Sequence, residues 1–187
     1  AIRRKIGLEP DRPVVMMVAC LKPQKAPLDF LAVADRVRRD IAGVQFVLAG
    51  DGELRPRMEQ EITRLKLEPV VRLLGWRTDI ADLLRASDLL LHTSLWEGLP
   101  RVFLESIAAG LPIIATNVDG APEAVQDGVN GYLFRRGDID GMAGRICDLL
   151  RSRDRLTALR ARASSSWRDE FDIRNMVQTI DRLYAGF

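Results

Sequence analysis

Short apolar runs alternate with longer amphipathic segments along almost the whole chain. The runs are mostly continuous, without the polar alternation of half-exposed strands, and this is typical of strands buried on both faces. They predict six strands, at residues 14–19, 44–49, 70–74, 88–92, 113–116 and 131–134. We therefore expect a sheet whose two faces are both covered.

The amphipathic segments have helical spacing. Residues 28–39 place apolar side chains three and four positions apart, and Gly110 with Pro112 forms a stop signal after a segment that starts near Phe103. The segments predict helices at residues 28–39, 53–66, 80–85, 103–109, 120–125, 139–150, 154–164 and 173–184. Because strands that alternate with helices form parallel sheets with right-handed crossovers, we predict an α/β fold with a doubly wound, Rossmann-like sheet of about six strands.

The 187 residues suffice for one hydrophobic core, so we predict a single domain over residues 1–187, closed by helices from about 139 to 187. A net charge of +2 and only 6% aromatic residues argue against nucleic-acid binding. No apolar segment is long enough to span a bilayer, and we expect no signal peptide. We expect a cytoplasmic protein in which the isolated Cys20 and Cys147 are small buried side chains.

Arginines are frequent between Arg145 and Arg168. A basic helical stretch could lie on anionic lipid at the inner face of the membrane. Asp148, Asp154 and Asp169 dilute the charge, so a solvated face is the stronger interpretation and peripheral membrane contact the alternative.

Two carboxylates follow the fourth predicted strand, and ligands of open parallel sheets bind outside the carboxyl ends of the strands. Glu97 lies in the loop, and we expect Glu105 in the first turn of the next helix. Unused N–H groups around residues 101–104 would suit a phosphate, and a neighbouring carboxylate could accept hydrogen bonds from a ribose diol. The spacing also fits a solvated loop acid and an acid that favours the helix dipole.

Other polar residues give weaker signals. Lys25 follows the first predicted strand and could bind phosphate as a point charge, although a solvated surface lysine is the other interpretation. The turn Gly50-Asp51-Gly52 is one that the fold requires whatever the function. His92, the single histidine, lies in a strand pattern, so we interpret it as a satisfied core residue. The sequence has no metal-ligand cluster and no dinucleotide fingerprint, so we expect neither metal nor cofactor.

The segment Ser94-Leu95-Trp96-Glu97-Gly98-Leu99-Pro100 is followed by Leu104-Glu105-Ser106-Ile107-Ala108-Ala109-Gly110-Leu111-Pro112. Together they resemble the signature of glycosyltransferase family 4, the group 1 glycosyltransferases. Similar stretches at 50–52, 75–76, 120–123 and 127–131 extend the resemblance over nearly the whole chain, in order. It implies the nucleotide-sugar-binding, C-terminal half of a retaining GT-B enzyme. The chain resembles that half only, so we expect the N-terminal acceptor domain to lie outside this sequence.

The resemblance implies a role for each matching residue. Glu97 would contact sugar hydroxyls near the reacting carbon, and Lys25 would neutralise charge on the departing phosphate; these are the two predicted catalytic residues. Glu105 would bind the ribose hydroxyls. Trp76 and Arg77 would lie against the base. Further donor contacts are implied for Gly98, Leu99, Pro100, Arg101, Val102, Leu104 and Gly52.

Two positions depart from the family pattern. The family usually has Gly-Arg after the first strand, where this chain has Ala19-Cys20, so the diphosphate site loses one cation unless Lys22 or Arg101 replaces it. A turn that is often Gly-Gly reads Asp119-Gly120.

The resemblance implies donor binding for retaining transfer to a glycan or lipid-linked acceptor, as half of a hexosyltransferase-like enzyme of polysaccharide biosynthesis. We expect the isolated chain to be inactive. A stand-alone nucleotide-sugar-binding module without turnover stays open as an alternative. A GT-B isomerase or phosphorylase is a further alternative. An epimerase would be expected to place catalytic histidine and acidic residues in the cleft, so the single His92 argues against one. The sequence does not identify the sugar, the base, the acceptor or the oligomeric state.

Overall fold

A computed structural model describes residues 2–185. Its strands are β1 (Val14–Val18), β2 (Gln45–Ala49), β3 (Val71–Leu73), β4 (Leu89–His92), β5 (Ile113–Thr116) and β6 (Gly131–Phe134). They form one six-stranded parallel sheet in the order β3-β2-β1-β4-β5-β6. The predicted sheet is confirmed, and every predicted strand lies within one residue of its observed bounds.

Helices connect consecutive strands and close the chain. They are α1 (Ile2–Lys5), α2 (Pro27–Asp40), α3 (Arg55–Leu65), α4 (Ile80–Arg85), α5 (Arg101–Ala108), α6 (Ala121–Ala124), α7 (Ile139–Arg151), α8 (Arg153–Ser165) and α9 (Ile173–Ala185). Short 3-10 turns occupy Pro23–Lys25 and Asp169–Phe171. All eight predicted helices are present, whereas α1 and the 3-10 turns are too short to produce a periodic pattern.

Both faces of the sheet are covered, which explains why the strands are apolar throughout. Val15 and Met17 of β1 point into one buried cluster, which α2 and α7 complete. Met16 points into a second cluster on the opposite face, together with Phe103 of α5. Side chains that alternate along β1 therefore all find an apolar environment.

The sheet reverses its winding direction between β1 and β4. Because β1 lies between β2 and β4, the connections after these strands diverge and leave a crevice at their carboxyl ends. The backbone is tightly packed beside it: a Cβ on Gly50, whose φ is 141°, would lie 1.9 Å from the carbonyl oxygen of Ala19. Glycine is required there for close approach as well as for conformation.

The arginine-rich stretch divides among separate surfaces. Arg153 and Arg160 line a cavity beside Asp88, at the amino ends of the strands, whereas Arg155 and Arg162 face a different groove. Helix α9 has no buried residue. Within residues 2–185 no helix is both long and apolar enough to cross a bilayer.

Cys147 is buried, as expected, whereas Cys20 is only half-buried; neither forms a disulfide within the described chain.

Candidate functional site

Hydrogen bonds connect the loop after β4 to the loop after β1. The hydroxyl of Thr93 donates to the carbonyl oxygens of Lys25 and Ala26 at 3.1 and 3.0 Å. The Leu95 N–H donates to the Gln24 carbonyl at 2.7 Å, and the Gln24 amide donates to the Trp96 carbonyl at 2.9 Å. These contacts place the Pro23–Lys25 turn directly beside Glu97.

The last residue of β5 and the loop after it hold the other side of the same loop. The Thr116 hydroxyl donates to the Ser94 carbonyl at 2.5 Å, and the Glu97 N–H donates to the Asp119 carboxylate at 2.8 Å. Asp119 has a φ of 39°, and a Cβ on the next residue, Gly120, would lie 2.5 Å from the Gly98 carbonyl oxygen. Asp119 and Gly120 therefore bring this backbone close enough to fix the position of Glu97.

The Glu97 carboxylate is almost enclosed, with 8% of its side-chain surface exposed. One oxygen, Oε1, forms an ion pair with Lys25, accepts the Ser94 hydroxyl at 2.6 Å and lies 2.9 Å from Nε2 of His92. Lys25 is 17% exposed. The structure thus brings together the two residues predicted to be catalytic.

Burial raises the pKa of Glu97, but hydrogen bonds from His92, Lys25 and Ser94 outweigh it and lower the pKa to about 2. Burial lowers the pKa of His92, so the imidazole is neutral at pH 7. Since an ionised carboxylate only accepts hydrogen bonds, Nε2 of His92 carries the proton. Its buried Nδ1 has no partner among the described residues, while the ring meets Phe103 edge to face at 5.1 Å between centroids.

Glu105 does not lie in the first turn of a helix, so that prediction was wrong. Helix α5 begins at Arg101, directly after Pro100 and two residues before the predicted start. The periodicity of apolar residues did not reveal this start, because the first helical residue is polar. Glu105 is the fifth residue of the helix and is exposed. It lines a cavity of about 830 Å³, to which the segment from Trp167 to Met176 contributes.

Glu97 is not among the residues that line this cavity, so the two carboxylates occupy different environments. Leu99, Arg101 and Leu104 line it beside Glu105, whereas Pro100 and Val102 are buried. The N–H of Phe103 donates to the Pro100 carbonyl at 2.9 Å, so it is already used, contrary to expectation. Gly98 is exposed, with open space where a Cβ would lie.

The remaining predicted donor contacts lie beyond the ends of β2 and β3. A Cβ on Gly52 would lie 2.6 Å from the Leu21 carbonyl oxygen, so this glycine has a packing role whatever the ligand. Trp76 is 76% exposed, and Arg77 forms a two-point salt bridge with Asp79, at 2.9 and 2.7 Å. Trp76 thus offers a free aromatic face at this edge of the crevice.

Sequence reasoning missed three residues that hold Glu97. His92 is the last residue of β4 and Ser94 lies two positions further on, with its hydroxyl 3.0 Å from Nε2 of His92, and this spacing was the available signal. His92 is buried as predicted, but it contacts Glu97 and its Nδ1 is unpaired, so it is not the fully satisfied core residue that we expected. Asp119 was noted only as a changed turn residue.

Within residues 2–185 there is no group of three or more histidine, cysteine, aspartate or glutamate side chains placed to hold a metal. Near the crevice, Cys20 occupies the position at which the family pattern usually has an arginine. The two residues that could replace its charge, Lys22 and Arg101, are both exposed.

Comparison with known proteins decides the family. The model of the family described as "Glycosyl transferases group 1" matches residues 1–166. The chain belongs to the group 1 glycosyltransferases. The predicted membership of the group 1 glycosyltransferases is therefore confirmed.

Curated group 1 relatives are named for transfer of sugars. An Escherichia coli protein, UDP-Gal:alpha-D-GlcNAc-diphosphoundecaprenol alpha-1,3-galactosyltransferase, is 38% identical over 75% of this chain and 37% of its own length. The D-inositol 3-phosphate glycosyltransferase of Mycobacterium marinum is 35% identical over 99% of this chain and 40% of its own length. The chain thus spans about half the length of these relatives or less.

Several solved structures share the fold. Anabaena HepE in complex with UDP-glucose aligns with a TM-score of 0.89 at 29% identity, over 100% of this chain and 52% of that one. WaaG, a glycosyltransferase involved in lipopolysaccharide biosynthesis, aligns with a TM-score of 0.85 at 21% identity, over 95% of this chain and 49% of that one. At that identity the second comparison concerns the fold alone.

Proposed function

We propose that this chain binds the nucleotide-sugar donor of a retaining glycosyltransferase, with residues 1–187 forming one donor-binding domain. An N-terminal domain outside this sequence would recognise a glycan or lipid-linked acceptor. The observation that carries the proposal is the enclosed cluster of Glu97, Lys25, His92 and Ser94 in the crevice between β1 and β4. A carboxylate and an ammonium group side by side in this crevice suit a nucleotide sugar, because the carboxylate can face the sugar and the ammonium group can face the diphosphate leaving group.

The proposed chemistry is mainly electrostatic. Glycosyl transfer passes through a transition state that resembles an oxocarbenium ion, while negative charge grows on the departing diphosphate. Glu97 is ionised at neutral pH and would face the sugar, whereas Lys25 would turn to the phosphates. The start of α5 would add backbone N–H groups to the diphosphate site. The donor carries its own leaving group, so the proposal includes no resident cofactor.

The relatives favour a uridine diphosphate sugar as the first donor to test, because HepE was crystallised with UDP-glucose and the E. coli relative is named for UDP-Gal. In the proposed pose, Glu105 binds the ribose, Trp76 and Arg77 lie against the base, and Gly52 and residues 98–104 line the path between them.

Calorimetry with a panel of nucleoside diphosphates and their sugars tests this function. We expect one nucleoside diphosphate to bind, with affinity lowered at least tenfold by Glu105→Ala. The matched control is Glu59→Ala, which removes an exposed carboxylate on α3. Equal affinity of Glu105→Ala and the parent would reject the ribose role, and no binding across the panel would reject donor binding.

We also propose that residues 1–187 alone transfer no sugar, because the acceptor would be bound by the proposed N-terminal domain. Radiolabelled transfer by this chain to any acceptor would contradict it. A longer protein that binds donor and still transfers nothing would instead favour the stand-alone binding module.

We also propose a cytoplasmic setting for the enzyme, with a role in polysaccharide biosynthesis. Peripheral membrane contact through one basic face has less support, because the arginines from 145 to 168 divide among several surfaces.

A further inference from the structure

A groove between α7 and α8 lies outside the proposed donor site. Its volume is about 170 Å³, and it shares no lining residue with the cavity beside Glu105 or with the cluster around Glu97. The buried side chains of Leu149 and Leu159 contribute apolar walls. The polar lining consists mainly of three arginines, Arg145, Arg155 and Arg162.

Within residues 2–185 none of these arginines has a carboxylate oxygen within the 4.0 Å of a salt bridge. Other helical arginines do: Arg38, Arg64 and Arg85 each pair with an acid three residues away. Residues three and four positions from Arg155 and Arg162 include no acid. The charges of Arg155 and Arg162 therefore have no intrahelical partner.

Arg145 does have an acid within one turn, Asp148, which also lines the groove, but its guanidinium lies over the ring of Tyr132, 4.1 Å from the centroid. Stacking uses the face of the guanidinium and leaves its edge N–H groups available. Tyr132 thereby orients a planar donor toward the groove.

Three cations around one groove, offset by a single carboxylate, repel one another until an anion enters. A volume of about 170 Å³ is below the roughly 300–1,000 Å³ of small-molecule sites, so it suits a phosphoryl group better than a whole nucleotide. We propose that this groove, defined by Arg145, Arg155, Arg162 and Tyr132, binds a phosphoryl group at a site separate from the donor. The group could belong to a soluble phosphate or to a phospholipid headgroup.

Inorganic phosphate is the first probe. Its binding is monitored by backbone amide NMR, because residue-specific shifts distinguish the groove from any phosphate binding near Lys25. We expect saturable shifts at Ala158 and Tyr132 in the parent chain. In the Arg155→Gln/Arg162→Gln variant the affinity at these signals should fall at least tenfold. The control variant, Arg64→Gln/Arg85→Gln, loses the same charge from arginines outside the groove and should match the parent.

Co-sedimentation with phosphatidylglycerol and phosphatidylcholine vesicles identifies the source. Binding to the anionic vesicles that is lost only in the groove variant indicates a lipid headgroup, and phosphate binding without vesicle binding indicates a soluble ligand. Ala158→Glu, which adds a carboxylate to the exposed groove without removing an arginine, should reproduce the loss if the double variant folds poorly. Absence of saturable shifts in the parent, or equal weakening in both double variants, would overturn the proposal.

Discussion

Lys25 and Glu97 are 72 positions apart in the chain and form an ion pair that joins the loop after β1 to the loop after β4. Only 17% and 8% of their side-chain surfaces are exposed. In the donor-free chain these two groups neutralise each other. Under the proposed function, a donor must give Lys25 phosphate oxygens in exchange for the carboxylate, while His92 and Ser94 keep Glu97 in place.

Lys25→Ala should lower the free energy of unfolding by about 2 kcal/mol, because it leaves an enclosed carboxylate without its cation. The Lys25→Ala/Glu97→Gln double variant should recover part of this loss, since the uncharged amide no longer needs a cation. Urea unfolding at pH 7 measures both. Lys22→Ala, at an exposed position, should change stability by less than about 0.5 kcal/mol. Equal losses in the single and double variants would show that the ion pair is energetically unimportant.

Stability should fall as the pH is lowered, in two stages. His92 has a folded-state pKa below its usual 6.5, so protonation of the unfolded chain destabilises the fold as pH drops below about 6.5. Glu97 has a pKa of about 2 against its usual 4.5, so its contribution is complete above about pH 4.5 and is lost as the pH falls toward 2. Thermal melting from pH 8 to pH 2 measures the profile.

His92→Gln separates the two stages, because the glutamine amide can still donate to Glu97 but does not titrate. We expect this variant to lose the decline between pH 7 and 5 and to keep the decline below pH 4.5. A profile identical to that of the parent would mean that His92 is protonated in the folded chain or does not control this range.

Gly120→Ala should displace the backbone that holds Glu97. The new Cβ would lie 2.5 Å from the Gly98 carbonyl oxygen, so the loop must move at a cost of about 1–3 kcal/mol. Gly144→Ala is the control: its Cβ would meet nothing within 4 Å, and alanine in the middle of α7 should stabilise by about 0.5–1 kcal/mol. Chemical denaturation should show opposite signs, and donor titration should show weaker binding only for Gly120→Ala.

Ala26→Gly should stabilise the chain by about 1 kcal/mol. Ala26 has a φ of 40°, a left-handed conformation that costs an alanine roughly 1–2 kcal/mol and that glycine adopts freely. Ala161→Gly, on the exposed surface of α8, is the matched control and should destabilise by about 0.5–1 kcal/mol. A loss of stability in both variants would mean that no strain is stored at Ala26.

The sequence predicted the strands well because each one is buried on both faces, and burial of Val15, Met16 and Met17 requires an unbroken apolar run. The rule for parallel sheets placed the loops of Lys25 and Glu97 at one edge of the sheet, and the family resemblance implied a role for each residue, but neither predicted their ion pair.

The surroundings of Glu97 could not be predicted in the same way. The contact from Asp119 depends on a left-handed backbone conformation, which the sequence does not reveal. The contact from His92 was missed because a histidine in an apolar strand pattern was interpreted as a core residue. The position of Glu105 beyond the first turn was missed because the start of α5 is set by a proline and a polar residue, which carry no periodic signal.

The arrangement of the strands also bears on how the chain can be recombined. Lys25 belongs to the first half of the sheet and Glu97 to the second, and they meet only because β1 and β4 are neighbours. A chimaera that takes residues 1–75 from a relative would import a foreign lysine loop and keep the native carboxylate loop. Such a hybrid should fold around its apolar strands, yet under the proposed function its donor binding would depend on whether the relative's residue at position 24 still meets the Trp96 carbonyl, and on whether Thr93 still meets the carbonyls of residues 25 and 26.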